Sequence, residues 1–190
     1  MLRAYSKYNP KTGYVQGMGF IAALFLTYMD EESAFWLLYS LMDKYGMDGY
    51  YLPEIPELPR SFYKFLSLMK KHLNPIYVHL TNKNRLVVPS MYASQWFITL
   101  FAVNVKSDIH VRIIDIFLLE GQKVIYKLGL AILKINEERI LNAKQLEEIM
   151  GIFKYAYDNL NVEELFSKAF STSFIFGKNT LKVNNFLLYL

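Results

Sequence analysis

The chain has 190 residues, of which 53% are hydrophobic and 16% aromatic; this is enough for one sizeable core and too apolar for a disordered segment. Its 21 Lys and Arg residues against 17 Asp and Glu residues give a net charge of +4, but the basic residues are scattered and indicate no nucleic-acid partner. The absence of cysteine excludes disulfides, thiol nucleophiles and cysteine-ligated metal sites.

The first apolar run covers residues 18–29 and follows three basic residues, an arrangement that superficially resembles a signal peptide. The run is too short to span a bilayer, and acidic residues 30–32 stand where a small-residue cleavage site would be needed. We therefore expect a buried core helix in a protein that is not an integral membrane protein.

Apolar residues recur at helical rather than alternating spacing along nearly the whole chain, which predicts an all-α fold. Asp30 is a candidate N-cap for a helix that runs to a glycine stop at Gly46, and this helix is apolar enough to be expected inside the domain. Three prolines in residues 47–59 predict an ordered loop, with helix resuming after Pro59 and broken again at Asn74-Pro75.

The second half of the chain carries five more helical patterns. They cover residues 90–101, 109–120, 124–135, 146–157 and 161–170. Gly121 should end the second of these helices, and Asn161 with Glu164 resembles a capping box at the start of the last. With no internal repeat and no linker-like segment, a single domain is the simplest description.

Conventional catalytic and metal motifs are missing from the sequence. The three histidines, at positions 72, 79 and 110, are not spaced as metal ligands, and we interpret each as a surface or satisfied core residue. The carboxylate pairs 137–138 and 147–148 lie among polar residues and are expected to be solvated charges. There is no nucleophile elbow, Walker loop or dinucleotide-binding fingerprint.

Gly13 and Gly17 flank Tyr14-Val15-Gln16, so the backbone can turn tightly there or let another molecule approach closely. Such a loop would present Gln16, whose amide offers both a donor and an acceptor and can orient an attacking water while donating to a phosphoryl oxygen. The alternative is a glutamine that forms hydrogen bonds only within the core.

The stretch Gly13-Tyr14-Val15-Gln16-Gly17-Met18 resembles the glutamine loop of TBC-type Rab GTPase-activating domains, whose signature is Tyr-x-Gln-Gly-Met-Asn. Three further matches follow in the family's order, at residues 32–36 (Glu-Ser-Ala-Phe-Trp), 94–101 (Ser-Gln-Trp-Phe-Ile-Thr-Leu-Phe) and 112–115 with 120–121 (Arg-Ile-Ile-Asp and Glu-Gly). Two departures, Gly19 for the usual Asn and Ile114 for the usual Trp, affect fine geometry more than the assignment.

The resemblance implies an all-helical TBC domain whose amino-terminal part is missing. Residues 1–175 would form the later portion of the domain, and residues 176–190 a carboxy-terminal helical tail with no stop signal. The chain would be a GTPase activator rather than an enzyme, with a Rab-family small GTPase as its partner. It would hold no cofactor of its own, since the GTPase binds GTP and Mg. Its expected location is cytoplasmic, peripheral on endomembranes through partners, in vesicle trafficking.

By the same resemblance, Gln16 would act in trans as a glutamine finger that replaces the GTPase's own catalytic glutamine, with Tyr14 and Gly17 supporting its loop. The family's arginine finger lies in an Ile-x-x-Asp-x-x-Arg motif upstream of this loop, and we expect it to be missing here. Arg3 is no substitute, because its neighbours resemble the family's own Leu-x-x-Tyr helix.

Two further expectations follow from the missing segment. The chain alone should be nearly inactive and should associate with itself through uncovered apolar surface. Two alternatives stay open: a non-catalytic TBC-type module that binds a small GTPase without activating it, and an unrelated helical interaction domain.

Overall fold

A computed structural model of the chain describes residues 1–82, 86–158, 160–171 and 174. Within these ranges the chain forms eleven α-helices and no strand, which confirms the all-α prediction. In chain order the helices are α1 (Leu2–Tyr8), α2 (Met18–Tyr28), α3 (Glu31–Asp43), α4 (Glu57–His72), α5 (Asn74–Thr81), α6 (Ser94–Ile98), α7 (Ser107–Glu120), α8 (Lys123–Ile135), α9 (Glu137–Asn142), α10 (Leu146–Lys154) and α11 (Val162–Ala169). The predicted tail, residues 176–190, lies outside the described residues.

The centre of the core is α8, which packs against α4, α6, α7, α9 and α11. Its Gly129 lets aromatic rings come close to the helix backbone: a Cβ built on this residue would lie 2.8 Å from Trp96 Cζ3 and 2.9 Å from Phe65 Cε2. The indole Nε1–H of Trp96 donates a hydrogen bond to Tyr157 Oη at 2.6 Å. A buried aromatic layer therefore joins α4, α6 and α8.

Several predicted helix ends are confirmed. The Ser33 N–H donates to Asp30 Oδ1 at 3.0 Å, so Asp30 caps α3 as expected. The helix ends at Asp43, three residues before the predicted stop at Gly46. Gly121 ends α7 with a φ of 71°, a left-handed value that glycine tolerates best.

The helix predicted over residues 90–101 is wrong in extent, because only Ser94–Ile98 is α-helical. Leu100 and Phe101 have φ values of 49° and 67° and are fully buried. The Phe101 ring stacks on Trp96 with centroids 5.5 Å apart. Packing of these two side chains therefore ends the helix, although their local propensity would continue it.

The helix predicted to begin after Pro59 begins at Glu57 instead. Pro59 lies in the first helical turn, where its missing N–H costs no hydrogen bond. The break at Asn74-Pro75 is confirmed, since α4 ends at His72 and α5 begins at Asn74.

The expectation that α2 and α3 are buried is correct for only one face of each helix. Ala34, Leu38, Leu41 and Met42 of α3 are buried, but Trp36 on the other face is 47% exposed. Its ring packs edge-to-face with Tyr8 of α1, with centroids 6.1 Å apart. No helix in the described part of the chain is long and apolar enough to cross a membrane.

Candidate functional site

The loop between α1 and α2 carries the predicted glutamine, and Asn9 organises its first half. The Thr12 N–H donates to Asn9 Oδ1 at 3.3 Å, and the Gly13 N–H donates to the Asn9 carbonyl at 2.8 Å. Asn9 Nδ2 in turn donates to Tyr5 Oη at 3.2 Å. Gly13 then turns the chain with a φ of 64°. The loop therefore starts from a fixed point on α1.

Gly17 ends the loop and precedes the first residue of α2. Its φ is 110°, a conformation that residues with a Cβ rarely adopt. It is buried, and a Cβ there would lie 3.0 Å from Ile98 Cγ2. The Tyr51 hydroxyl donates to the Ile98 carbonyl and holds that end of α6 in place. Both the backbone angle and the available space therefore require glycine.

Gln16 and Tyr14 project from the loop into solvent. Tyr14 is 58% exposed, and its hydroxyl lies 3.8 Å from the position a Cβ would take on Gly19. The Gln16 side chain is exposed and makes no hydrogen bond within the part of the chain that the structure describes. The alternative of a glutamine bonded within the core therefore does not hold.

A groove of about 690 Å³ lies beside this loop. Its walls are the loop itself, one face of α2, and Ala102 with the first turn of α7. The lining residues are Tyr14, Gln16, Gly17, Gly19, Phe20, Ala23, Leu24, Thr27, Tyr28, Ala102, Ser107 and His110. No Asp, Glu, Lys or Arg is among them, so the groove offers apolar surface and a few uncharged polar groups.

His110, in the first turn of α7, is only 4% exposed. Its Nε2 is buried and has no hydrogen-bond partner in the structure. Burial lowers the pKa of His110 to about 4, so the imidazole is neutral at physiological pH. The interpretation of every histidine as a surface or satisfied core residue is therefore wrong for His110. A single histidine in an apolar segment does not reveal from sequence whether its ring will be buried without a hydrogen-bond partner.

Other predicted features have structural roles. Arg112 forms an ion pair with Glu163 (Nη1 to Oε1, 2.7 Å) and lies over the Phe166 ring. Glu148 is exposed, as expected of a solvated charge, and also caps α10: it accepts from the Lys144 N–H at 2.7 Å, and such backbone bonds lower its pKa. Within the described ranges, no group of three or more His, Asp or Glu side chains is arranged to hold a metal ion.

The Rab-GTPase-TBC domain model matches residues 1–141 of this chain. TBC1 domain family member 4 of Mus musculus is 33% identical over 165 residues, which cover 87% of this chain and 12% of that protein. GTPase-activating protein GYP5 of Saccharomyces cerevisiae is 36% identical over 155 residues, which cover 81% of this chain and 17% of that protein. The chain thus spans less than a fifth of the length of these two relatives.

Two solved structures resemble the fold. The crystal structure of the Chlamydomonas flagellar RabGAP TBC domain superposes with a TM-score of 0.76 at 30% identity, covering 89% of this chain and 56% of that one. The Ypt/Rab-GAP domain of Gyp1p superposes with a TM-score of 0.73 at 20% identity, covering 89% and 62%. The second likeness supports the fold alone.

Proposed function

We propose that this chain, which belongs to the Rab-GTPase-TBC domain family, stimulates GTP hydrolysis by a Rab-type small GTPase. Gln16 would be the residue inserted into the GTPase's active site. The observation that carries this proposal is the exposed Gln16 amide, which forms no hydrogen bond with any described residue and lies at the rim of an uncharged groove.

The proposed role of Gln16 is to position the attacking water. Its carbonyl oxygen would accept from the attacking water while its amide nitrogen donates to a phosphoryl oxygen, so that the water is held in line with the scissile bond. GTP and Mg would be held by the GTPase, and the chain itself would bring no cofactor. A fixed loop matters here, because a preorganised group loses little entropy when the partner docks.

The supporting roles follow from the loop geometry. Gly17 would keep the loop packed against α6, since any side chain at this position would be strained by the backbone angle and would press on Ile98. Tyr14 would shape the rim of the groove, with its hydroxyl close to Gly19. Neither residue is asked to take part in chemistry.

In a mechanism of this kind, an arginine would act together with Gln16 in the active site of the GTPase. The Ile-x-x-Asp-x-x-Arg motif does not occur within these 190 residues. Of the arginines present, Arg112 is paired with Glu163 and Arg60 with Glu57. An arginine finger contributes about 10³–10⁵ in rate, so we propose that these 190 residues alone stimulate hydrolysis only weakly.

The test is single-turnover GTP hydrolysis by a panel of purified Rab GTPases. The whole protein to which these residues belong, called the parent protein below, is compared with its Gln16→Ala variant, and Gln95→Ala serves as the matched control. Gln95 is also an exposed glutamine, but it lies on α6 and does not line the groove. Loss of stimulation in Gln16→Ala alone would support the proposal, and equal stimulation by all three proteins would contradict it.

A second candidate for these 190 residues, which contain no Ile-x-x-Asp-x-x-Arg motif, is a module that binds a small GTPase without accelerating hydrolysis. The same panel separates the two functions when binding is measured beside hydrolysis. The binding module would be favoured if the parent protein binds a GTPase tightly while neither the parent protein nor its Gln95→Ala variant stimulates GTP hydrolysis.

A further inference from the structure

The wall of the groove contains one buried polar group that the folded chain does not satisfy. His110 Nε2 is buried and has no hydrogen-bond partner among the described residues, and the residue is 96% buried in a wall that otherwise consists of apolar and uncharged polar side chains. An unpaired buried nitrogen destabilises the fold, whereas an apolar side chain of similar size would not. Such groups are found where a protein keeps hydrogen-bonding capacity for a ligand.

The position of His110 distinguishes it from other unpaired groups. The buried Tyr92 hydroxyl also lacks a partner among the described residues, but it does not line the groove. Among the described residues His110 is the only unpaired buried group that shares the groove with Gln16. A partner surface that fills the groove beside Gln16 therefore lies against the wall that contains His110.

The lack of charged residues in the groove indicates which kind of partner group His110 could bind. The groove has no Asp, Glu, Lys or Arg in its lining, so a charged group of a partner would be desolvated there without a counter-charge. A neutral imidazole has one N–H donor and one nitrogen acceptor, which match a hydroxyl or an amide. His110 lines the groove with only 4% of its surface exposed, so a contact with its ring nitrogen requires a change of side-chain rotamer when the partner docks.

We infer that His110 is a specificity-determining residue of the groove, which forms a hydrogen bond with an uncharged hydroxyl or amide on the surface of the docked small GTPase. The inference rests on the proposed function for the identity of the partner. It adds a recognition contact that is separate from the hydrolytic role of Gln16. GTPases that carry a carboxylate or a lysine at the facing position should be rejected.

The experiment uses the full chain and a Rab GTPase loaded with GDP and aluminium fluoride, which together mimic the transferring phosphoryl group. His110→Leu removes the hydrogen-bonding nitrogen, and His110→Gln keeps an amide at a similar distance from the backbone. Tyr92→Phe is the matched control, since it removes an unpaired buried hydroxyl that lies outside the groove. Dissociation constants and unfolding temperatures are measured for all four proteins.

We expect His110→Leu to bind about tenfold more weakly, the loss of one hydrogen bond in a desolvated site. Its unfolding temperature should stay equal or rise, because an unpaired group has been removed. His110→Gln should recover part of the affinity, and Tyr92→Phe should bind like the wild type. This combination excludes a merely structural effect of the leucine.

Binding of His110→Leu within twofold of the wild type would overturn the inference, and so would unfolding of that variant at a lower temperature. The outcome is separable from that of the proposed function. Weaker binding by His110→Leu together with full stimulation by Gln16→Ala would support the role of His110 and contradict the role of Gln16. The reverse pattern would leave Gln16 as proposed and remove His110.

Discussion

The backbone of Gly17 lies against the side chain of Ile98, so close that a Cβ on the glycine would meet Ile98 Cγ2 at 3.0 Å. This contact joins the glutamine loop to the carboxyl end of α6, an element about 80 residues later in the sequence. Because Tyr51 donates to the Ile98 carbonyl, the contact point is held from a third element as well. The loop that presents Gln16 is thus fixed by packing of distant segments.

Gly17→Ala should therefore damage both the fold and the site. A φ of 110° is strained for alanine, and the added methyl group must push Ile98 aside. We expect a loss of about 1–3 kcal/mol in the free energy of unfolding, measured by urea titration. Stimulation of GTP hydrolysis by the parent protein should fall with it. An unchanged urea midpoint would show that the loop can relax without cost.

Two helical glycines provide a matched pair for the core. Gly129→Ala places a methyl group within 3 Å of Trp96 and Phe65, whereas Gly151→Ala in α10 meets nothing within 4 Å. The first substitution should destabilise the protein by about 1–3 kcal/mol through overpacking. The second should stabilise it by about 0.5–1 kcal/mol, because alanine loses less backbone entropy in a helix. Equal effects on the unfolding temperature would contradict this description of the core.

The burial of His110 predicts a pH dependence of stability. Its pKa is lowered from 6.5 to about 4, so below pH 6.5 the unfolded chain binds a proton that the folded chain does not. Stability from this group is complete above pH 6.5 and is lost as pH falls toward 4. The difference in unfolding free energy between pH 7 and pH 4 should be larger for the wild type than for His110→Leu, by roughly 3 kcal/mol at most. Parallel pH profiles for the two proteins would show that the imidazole is not buried in solution.

Exposed apolar side chains predict that the 190-residue chain associates with itself. Leu119 is 87% exposed, and Trp36 and Tyr28 are also open to solvent. Surfaces of this kind favour association when nothing covers them. Light scattering at increasing protein concentration should show a rising mean mass, reduced by Leu119→Gln. A constant monomer mass over this range would contradict the prediction.

The sequence predicts the helix ends that depend on local chemistry. Asp30 caps α3, and Gly121 ends α7, because a side-chain oxygen and a left-handed backbone are needed within one turn. The turn formed by the glycines around Gln16 could be predicted for the same reason, since Gly13 and Gly17 both have positive φ.

Features set by distant contacts could not be read in this way. Leu100 and Phe101 interrupt a helical pattern because their side chains enter the core. From sequence alone, Gly129 would be expected to weaken its helix. In the structure, it leaves room for the rings of Trp96 and Phe65. Nothing near His110 in the sequence shows that its ring is buried beside the glutamine loop, because α7 and that loop meet only in three dimensions.

The most direct test of the role of Gln16 is single-turnover GTP hydrolysis by the responsive Rab GTPase, with the parent protein carrying glutamine or alanine at position 16. If Gln16 orients the attacking water, Gln16→Ala should reduce the stimulated rate about 10²–10³-fold, the range typical of removing one preorganised catalytic donor. Gln95→Ala should leave the rate unchanged. Stimulation by Gln16→Ala equal to that by the wild-type protein would show that Gln16 does not act on the GTPase.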